Sequence, residues 1–395
     1  MSMVTDVRAR IDALADRMTA AGHLVDQSWR PVLHAVPRHL FAPARAYATP
    51  GEADDPPARP IDRDADPGDW WAAVYEDMAI VTQRDDGAAD PAIDQGAPTC
   101  SLSAPCVVLP FLHLLGARPG DRVLEIGTGT GWTAALLSER IGQHNVTSLE
   151  IDPDLARTAR ANLASAGYAP TIIEADGLRG CPGERFDRLH VTCGISTIPY
   201  TWIEQLQPGG VAVLPWQPAG WTGYKVRLTA SGGSAVGTFH GPANFMAARS
   251  QRTGTTLWQP HHTDDADTTT TSLDPHDIAG HWGEQHVALT QIPGLVCTVW
   301  PDDDGSLSLH LAEAGHPDRS WAACDSQSDG KHTVTQYGPR RLWDELETAY
   351  RAWRAAGQPG EEHFRLLVSP EGQRVVLDPD GTYHLSKGKW RATIH

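Results

Sequence analysis

Hydrophobic and polar positions change their period twice along this 395-residue chain, and the changes divide it into three stretches. In the first forty residues Val7, Ile11, Leu14 and Met18 recur at helical spacing. A second helical run around Trp29 to Val36 stops near Pro37. Residues 48–69 (ATPGEADDPPARPIDRDADPGD) and 84–98 are rich in Asp, Gly and Pro, and read as loops. From residue 105 the texture becomes regular. A helix, Pro105 to Leu115, leads through an Arg-Pro-Gly-Asp turn to the apolar strand DRVLEIG. Helix WTAALLSERI, strand NVTSLEI, helix PDLARTARANLASAG and strand TIIEA follow. Next come strand RFDRLHVT, a helix around Tyr200 to Gln207, and strand GVAVLPW.

Strands alternating with helices predict a parallel sheet covered on both faces, so residues 100–218 read as a doubly wound, Rossmann-like α/β domain. Residues 1–99 read as a helical and loop region beside it. Residues 219–395 differ: YKVRLTA, LVCTVW and SLSLHLA alternate like half-buried strands, and RLWDELETAYRAWRAAG is an amphipathic helix stopped at Gly357. LLVSPEGQRVVLD reads as a hairpin turning at Pro-Glu-Gly, and the Asp/Thr run at 263–272 as a surface loop. The tail is thus expected to be an additional mixed α+β domain.

Composition narrows the partners. A formal net charge of −17 argues against nucleic acid, whose phosphates need a cationic surface. No run of about 18 apolar residues offers a membrane span, and the charged N-terminus lacks the apolar centre of a signal peptide, so a cytoplasmic location is expected. The six cysteines show no CxxC pair or ligand-like spacing and read as reduced thiols. Histidines 276, 281 and 286 are five apart, which puts no metal trio on one helical face, and the His261–His262 pair sits in an apparent loop. No metal site is expected.

The strongest chemical signal is Glu125-Ile-Gly127-Thr128-Gly129-Thr-Gly131, between a strand and a helix. Glycines there let backbone approach a ligand where a side chain would collide. The spacing G-x-G-x-G is not that of the pyrophosphate-binding dinucleotide loop. An acidic residue ahead of it suits the ammonium of a methionine moiety better than a diphosphate. Glu150, followed by Ile151, closes the next strand, where a carboxylate can accept both ribose hydroxyls, and Asp176-Gly177 follows the third, where it can meet an adenine amino group. The ordered set points to S-adenosylmethionine.

The segment Ser101-Leu102-Ser103-Ala104-Pro105, with Val-Pro37-Arg-His-Leu-Phe41, Tyr75-Glu-Asp77, DRVLEIGTGTGWTAALL and LQPGGVAVLPW, resembles the protein L-isoaspartate (D-aspartate) O-methyltransferase family over about residues 30–218. The resemblance implies that Ser103 is the active-site hydroxyl and that residues 101–105 hold the acceptor carboxylate; Thr192 is counted with them. Ser103 alone also reads as a helix cap before Pro105. The chain departs from the family pattern at RDDGAADPAIDQGAP, at Thr192-Cys-Gly-Ile-Ser-Thr-Ile-Pro199-Tyr-Thr-Trp202, and in the tail from 219, for which the compact repair enzymes offer no counterpart. This combination is similar to a divergent branch associated with maturation of ribosomal peptides (the ATP-grasp/graspetide and lanthipeptide systems). That branch esterifies an Asp in a cyclised precursor peptide, and loss of methanol gives aspartimide or isoaspartate. Repair of isoaspartyl proteins and a small-molecule methyltransferase of secondary metabolism stand as alternatives. The 14 Trp residues, several in the tail, suit cores and peptide-gripping surfaces alike.

Overall fold

The structure, a computed structural model, describes residues 3–218, 223–252, 265–279, 290, 292, 294–314, 316, 319–378, 383–386 and 389–392. The chain forms two compact units, residues 1–193 with 201–214, and residues 194–200 with 215–395. The N-terminal region is therefore not separate from the glycine-loop domain. Its apolar stripes find their partner there: Ile11, Leu14 and Met18 are buried, and the Trp132 indole donates to the Val36 carbonyl at 3.3 Å.

In the first unit α1 (Met3–Ala20) and α2 (Trp29–Ala35) precede β1 (Arg45–Pro50), β2 (Arg59–Asp62), α3 (Pro67–Tyr75), β3 (Met78–Arg84) and β4 (Pro98–Leu102). These four strands make an antiparallel sheet in the order β2-β1-β3-β4. The expected loop at 48–69 thus contains the end of β1, all of β2 and the start of α3. Pro and Asp mask strands this short, whose order comes from pairing: β1 registers Ala48 with Arg59 and with Ile80. Residues 85–97 do form a connection, as read.

The parallel sheet follows. α4 (Pro105–Leu115) starts with proline at its first turn and ends at Gly116, whose φ of 59° is the left-handed turn that glycine favours. β5 (Val123–Ile126), α5 (Trp132–Ile141), β6 (Val146–Glu150), α6 (Pro153–Ser165), β7 (Thr171–Glu174) and β8 (Phe186–Val191) match the expected alternation. α7 (Tyr200–Gln205) is shorter than expected, because Leu206 already opens β9 (Leu206–Trp216). The strand order is β9-β8-β5-β6-β7. Central β5 is buried at all four positions, as a strand covered on both faces must be.

The second unit contains β10 (Tyr224–Ser231), β11 (Ser234–Pro242), β12 (Asp267–Thr271), α8 (Pro275–Ala279), β13 (Leu295–Pro301), β14 (Leu307–Glu313), β15 (Trp321–Asp325) and β16 (His332–Tyr337). α9 (Leu342–Ala355), β17 (Phe364–Ser369), β18 (Gly372–Leu377), β19 (Tyr383–Ser386) and β20 (Lys389–Ala392) complete it. β10, β11, β17 and β18 pair antiparallel in sequence, and β12-β16-β15-β14-β13 form a second sheet. α9 buries Leu342, Trp343, Leu346, Tyr350 and Trp353, the stripe its sequence shows. The run expected as a surface loop at 263–272 is corrected: Asp267–Thr271 is strand β12, paired with β16 from Asp267↔Gln336 to Thr271↔His332. Its polarity reflects an edge strand whose first four residues are exposed. Histidines 261, 262, 281 and 286 lie outside the described residues. Among the described residues no group of three His, Cys, Asp or Glu could hold a metal, and no helix is long and apolar enough to cross a membrane. All six cysteines are free thiols.

Candidate active site

The glycine loop leaves β5 and enters α5 with Gly127, Gly129 and Gly131 at φ 91°, 54° and 90°. These are left-handed angles that other residues adopt only under strain. At Gly127 space is closed as well, while Gly129 has ordinary contacts. A Cβ on Gly127 would stand 2.5 Å from Thr192 Oγ1, and one on Gly129 would stand 3.5 Å from Cys100 Sγ and 3.8 Å from the Ser101 carbonyl oxygen. The loop therefore lies directly against the segment expected to hold the acceptor.

The residues around the loop take roles that the chain alone did not disclose. Glu125 is fully buried beneath the loop. Its Oε2 accepts from Ser148 Oγ at 2.6 Å, and Ser148 Oγ lies 2.6 Å from Thr128 Oγ1. Because the Ser148 proton goes to Glu125, Thr128 is the donor in the second bond. Glu125 thus holds the loop through two hydroxyls. Thr192, expected among the acceptor residues, gives its hydroxyl proton to the Gly127 carbonyl at 2.6 Å and pins the loop from β8.

Glu150 ends β6 and is 6% exposed. Its Oε2 accepts from Gly129 N at 2.9 Å and its Oε1 from Asp152 N at 3.1 Å. Each oxygen keeps a second lone pair, which a pair of vicinal hydroxyls can use. Burial raises the Glu150 carboxyl above its ordinary 4.5, against the lowering effect of those amides. Ile151 presents 39% of its surface at this rim, unusual for a large apolar side chain beside a polar site and suited to the face of a flat base. The half-buried Asp176 caps a short turn, its Oδ1 accepting from Leu178 N at 3.0 Å. Gly177 is required by contact: a Cβ there would stand 2.4 Å from Ile126 Cγ2, and Trp202 Nε1 donates to its carbonyl at 2.9 Å. A glycine cradle, a diol-accepting carboxylate, an apolar face and an adenine-side acid fit S-adenosylmethionine.

On the acceptor side Ser101 and Leu102 end β4, and Ser103 is half-buried between it and α4. The cap reading of Ser103 does not hold. Ala104 occupies the cap position without a side-chain bond, and the amide of Cys106 is satisfied by Asp77 Oδ1 at 2.8 Å. Ser103 Oγ makes no hydrogen bond to the protein among the described residues, which leaves it for a ligand. Its backbone is held from below by Arg38, which is 2% exposed. The guanidinium donates to the carbonyls of Val74 and Met78 at 2.6 Å each, Leu102 at 3.2 Å and Ser103 at 3.0 Å, and lies 5.3 Å from the Trp132 ring centroid. Desolvation lowers its pKa to about 10, so it stays charged at neutral pH. Arg38 was legible only as part of the Val-Pro-Arg-His-Leu-Phe motif, because a lone Arg in a loop carries no sign that four carbonyls await it.

Comparison with known proteins agrees with this geometry. The sequence model of the family described as Protein-L-isoaspartate(D-aspartate) O-methyltransferase (PCMT) matches residues 70–249. The protein-L-isoaspartate O-methyltransferase of Methanosarcina mazei is 42% identical over 119 residues, covering 29% of this chain and 49% of that protein. The enzyme of the same name from Thermococcus onnurineus is 41% identical over 118 residues, 29% of this chain and 53% of its own. The chain thus spans about half the length of the curated relatives it matches. A solved structure titled protein-L-isoaspartate O-methyltransferase aligns with a TM-score of 0.51 at 19% identity, over 93% of this chain and 99% of that one. Coverage that wide includes most of residues 219–395, so the tail has a counterpart in fold in that longer protein. Residues 70–249 accordingly carry a domain of the protein-L-isoaspartate(D-aspartate) O-methyltransferase family, and the chain has the class I methyltransferase fold with an added C-terminal part.

Proposed function

We propose that the protein is an S-adenosylmethionine-dependent carboxyl O-methyltransferase acting on isoaspartyl or aspartyl side chains of a peptide or protein. The observation that carries this reading is the Ser103 hydroxyl, half-buried, without a hydrogen-bond partner among the described residues, and just past the Cys100–Ser101 stretch that lies against the glycine loop. Gly127, Thr128, Gly129, Gly131, Glu150, Ile151, Asp176 and Gly177 would hold the cofactor, which supplies an electrophilic methyl group when bound. An aspartyl-type carboxylate has a pKa near ~4 and arrives as an anion, so no side chain has to remove a proton. The protein's task is alignment and exclusion of water, which is catalysis by proximity. Ser103 donates a hydrogen bond that orients one acceptor oxygen, Arg38 fixes the carbonyls on either side of it, and Leu102 and Ala104 make a dry wall.

A narrower version places the target aspartate in a cyclised ribosomal precursor peptide, with the ester closing to aspartimide. What supports it is the Asp/Gly/Pro-rich 84–98 segment, which is closed on itself by Arg84 donating to the Gly96 carbonyl at 2.8 Å and touches the acceptor strand where Asp86 N donates to Thr99 Oγ1 at 3.1 Å. Incubation with S-adenosylmethionine and two peptide sets separates the versions. One set is an isoaspartyl peptide with its Asp twin; the other is a macrocyclised precursor peptide encoded beside the gene. Methyl gain on the isoaspartyl peptide alone selects repair, and methyl gain then net loss of water on the cyclic peptide selects aspartimide formation. Reaction with neither, while S-adenosylhomocysteine still binds, would overturn both and leave a small carboxylic acid or alcohol as acceptor. Ser103→Ala should lower kcat/KM by about 10- to 100-fold, the worth of one hydrogen bond to a charged group, with cofactor affinity unchanged.

A further inference from the structure

β3 and β4 do not pair evenly. Ile80 faces Leu102 and Val81 faces Ser101, then the register shifts on both sides of Gln83, which faces Cys100. A bulge re-aims the side chain it carries and is common beside active sites. Here it turns Gln83, 7% exposed, toward the cofactor rim. Its Oε1 accepts from Thr99 Oγ1 at 2.9 Å, and its Nε2 donates to Asp152 Oδ2 at 3.1 Å. Asp152 caps α6 through its other oxygen, accepting from Asp154 N at 2.9 Å and Leu155 N at 3.2 Å, and gives its own amide proton to Glu150 Oε1. At the far end Thr99 accepts from Asp86 N. Every donor meets an acceptor, so one chain of bonds runs from the acceptor strand to the carboxylate at the cofactor rim.

We propose that Gln83 is a positioning residue that couples the cofactor-rim carboxylate Glu150 to the acceptor strand and its Ser103 turn, through Asp152 on one side and Thr99 on the other. The inference rests on the cofactor assignment above. Hydroxyls binding Glu150 add donors to the oxygen that receives the Asp152 amide, and draw on the same buried network that fixes residues 99–103. Binding of cofactor therefore orders the acceptor segment. Reciprocity requires that an ordered acceptor segment favour cofactor binding by the same factor. A carboxamide suits this place because it offers an acceptor to a hydroxyl and a donor to a carboxylate from one planar group. Glu in its place would oppose the Asp152 carboxylate.

The test is amide hydrogen exchange with S-adenosylhomocysteine as probe, on wild type, Gln83→Leu and Thr99→Val, with binding followed by calorimetry. In wild type the probe should slow exchange at residues 127–131 and, remotely, at 99–103. In both variants protection at 127–131 should persist at saturating probe while protection at 99–103 is lost, and the dissociation constant should rise by the coupling removed, typically 5- to 150-fold. Thr99→Val cuts the chain without touching Asp152, so the inference stays testable if Gln83→Leu folds poorly. Protection at 99–103 that persists in either folded variant, or is absent in wild type although the probe binds, would overturn the coupling. Failure of wild type to bind the probe would instead overturn the cofactor assignment.

Discussion

At the scale of single residues, this site is made of buried polar groups satisfied just far enough to leave something for a ligand. Glu150 accepts two amides and retains two lone pairs, and burial holds its carboxyl above the ordinary 4.5. That shift has a sign. A raised folded value means the folded state keeps a proton that the unfolded chain has already lost. The difference therefore lowers stability as pH climbs from about 4.5 through the raised value, and the cost persists above it. Glu150→Gln removes this titration, so the melting temperature of wild type should fall relative to the variant between pH 4 and 7. Parallel curves would show that Glu150 carries no such shift. The same variant should bind S-adenosylhomocysteine at least about tenfold more weakly, because a neutral amide replaces an acceptor of charge-assisted bonds. A buried ion is kept here at a cost in stability, which is intelligible where a ligand needs it.

At the scale of elements, the glycine loop shows two constraints that a sequence motif cannot separate. Gly127 has φ 91°, and the Cβ it lacks would strike Thr192 Oγ1 at 2.5 Å. Gly120, in the Arg-Pro-Gly-Asp turn, has φ 92° with nothing within 4 Å of the same position. Gly120→Ala therefore measures the backbone cost alone, about 1–2 kcal/mol for a left-handed residue. Gly127→Ala adds the collision and breaks the Thr192–Gly127 bond, so denaturant unfolding should show a larger loss, with weakened cofactor binding. Equal losses in the two variants would mean that the loop yields and that Thr192 does not pin it. Elements of the parallel sheet were legible because each carries its own signal: Pro at the start of α4 and α6, an acid cap at Asp152, glycine after α4. The antiparallel strands at 45–62 and 267–271 were not, since short polar strands acquire their conformation from partners far along the chain.

At the scale of the whole molecule, the family match ends at residue 249, a few residues past β11, while the sheet that holds β11 continues. β11 pairs with β17 through Ala235↔Val368, Val236↔Leu367 and Gly237↔Leu366, so more than a hundred intervening residues separate two neighbouring strands. A chain cut after 249 would leave β11 with an unpaired, partly apolar edge, the kind that associates. Residues 1–249 should melt lower than the full chain and self-associate in size-exclusion chromatography. A monomeric 1–249 with unchanged melting temperature would show that the family domain is self-sufficient. The net charge of −17 belongs to this scale as well: it excludes no local basic surface, but it argues that acceptors are not drawn in by a cationic field.

The sequence by itself determined the parallel sheet, the cofactor loop and the identity of Ser103 as a candidate, because local spacing and one family resemblance carry that information. Tertiary structure decided the rest. It turned Glu125 inward to hold Thr128 through Ser148, gave Thr192 a bond that anchors the loop, and moved the cap from Ser103 to Ala104 and Asp77. It also brought Arg38, Gln83 and Asp152 to the site, from positions whose residue types show no pattern in one dimension. The physical reason is common to all of them. A buried hydrogen bond is specified by where two distant segments meet, and only the folded chain states which carbonyl, amide or carboxylate lies within 3 Å of a given side chain.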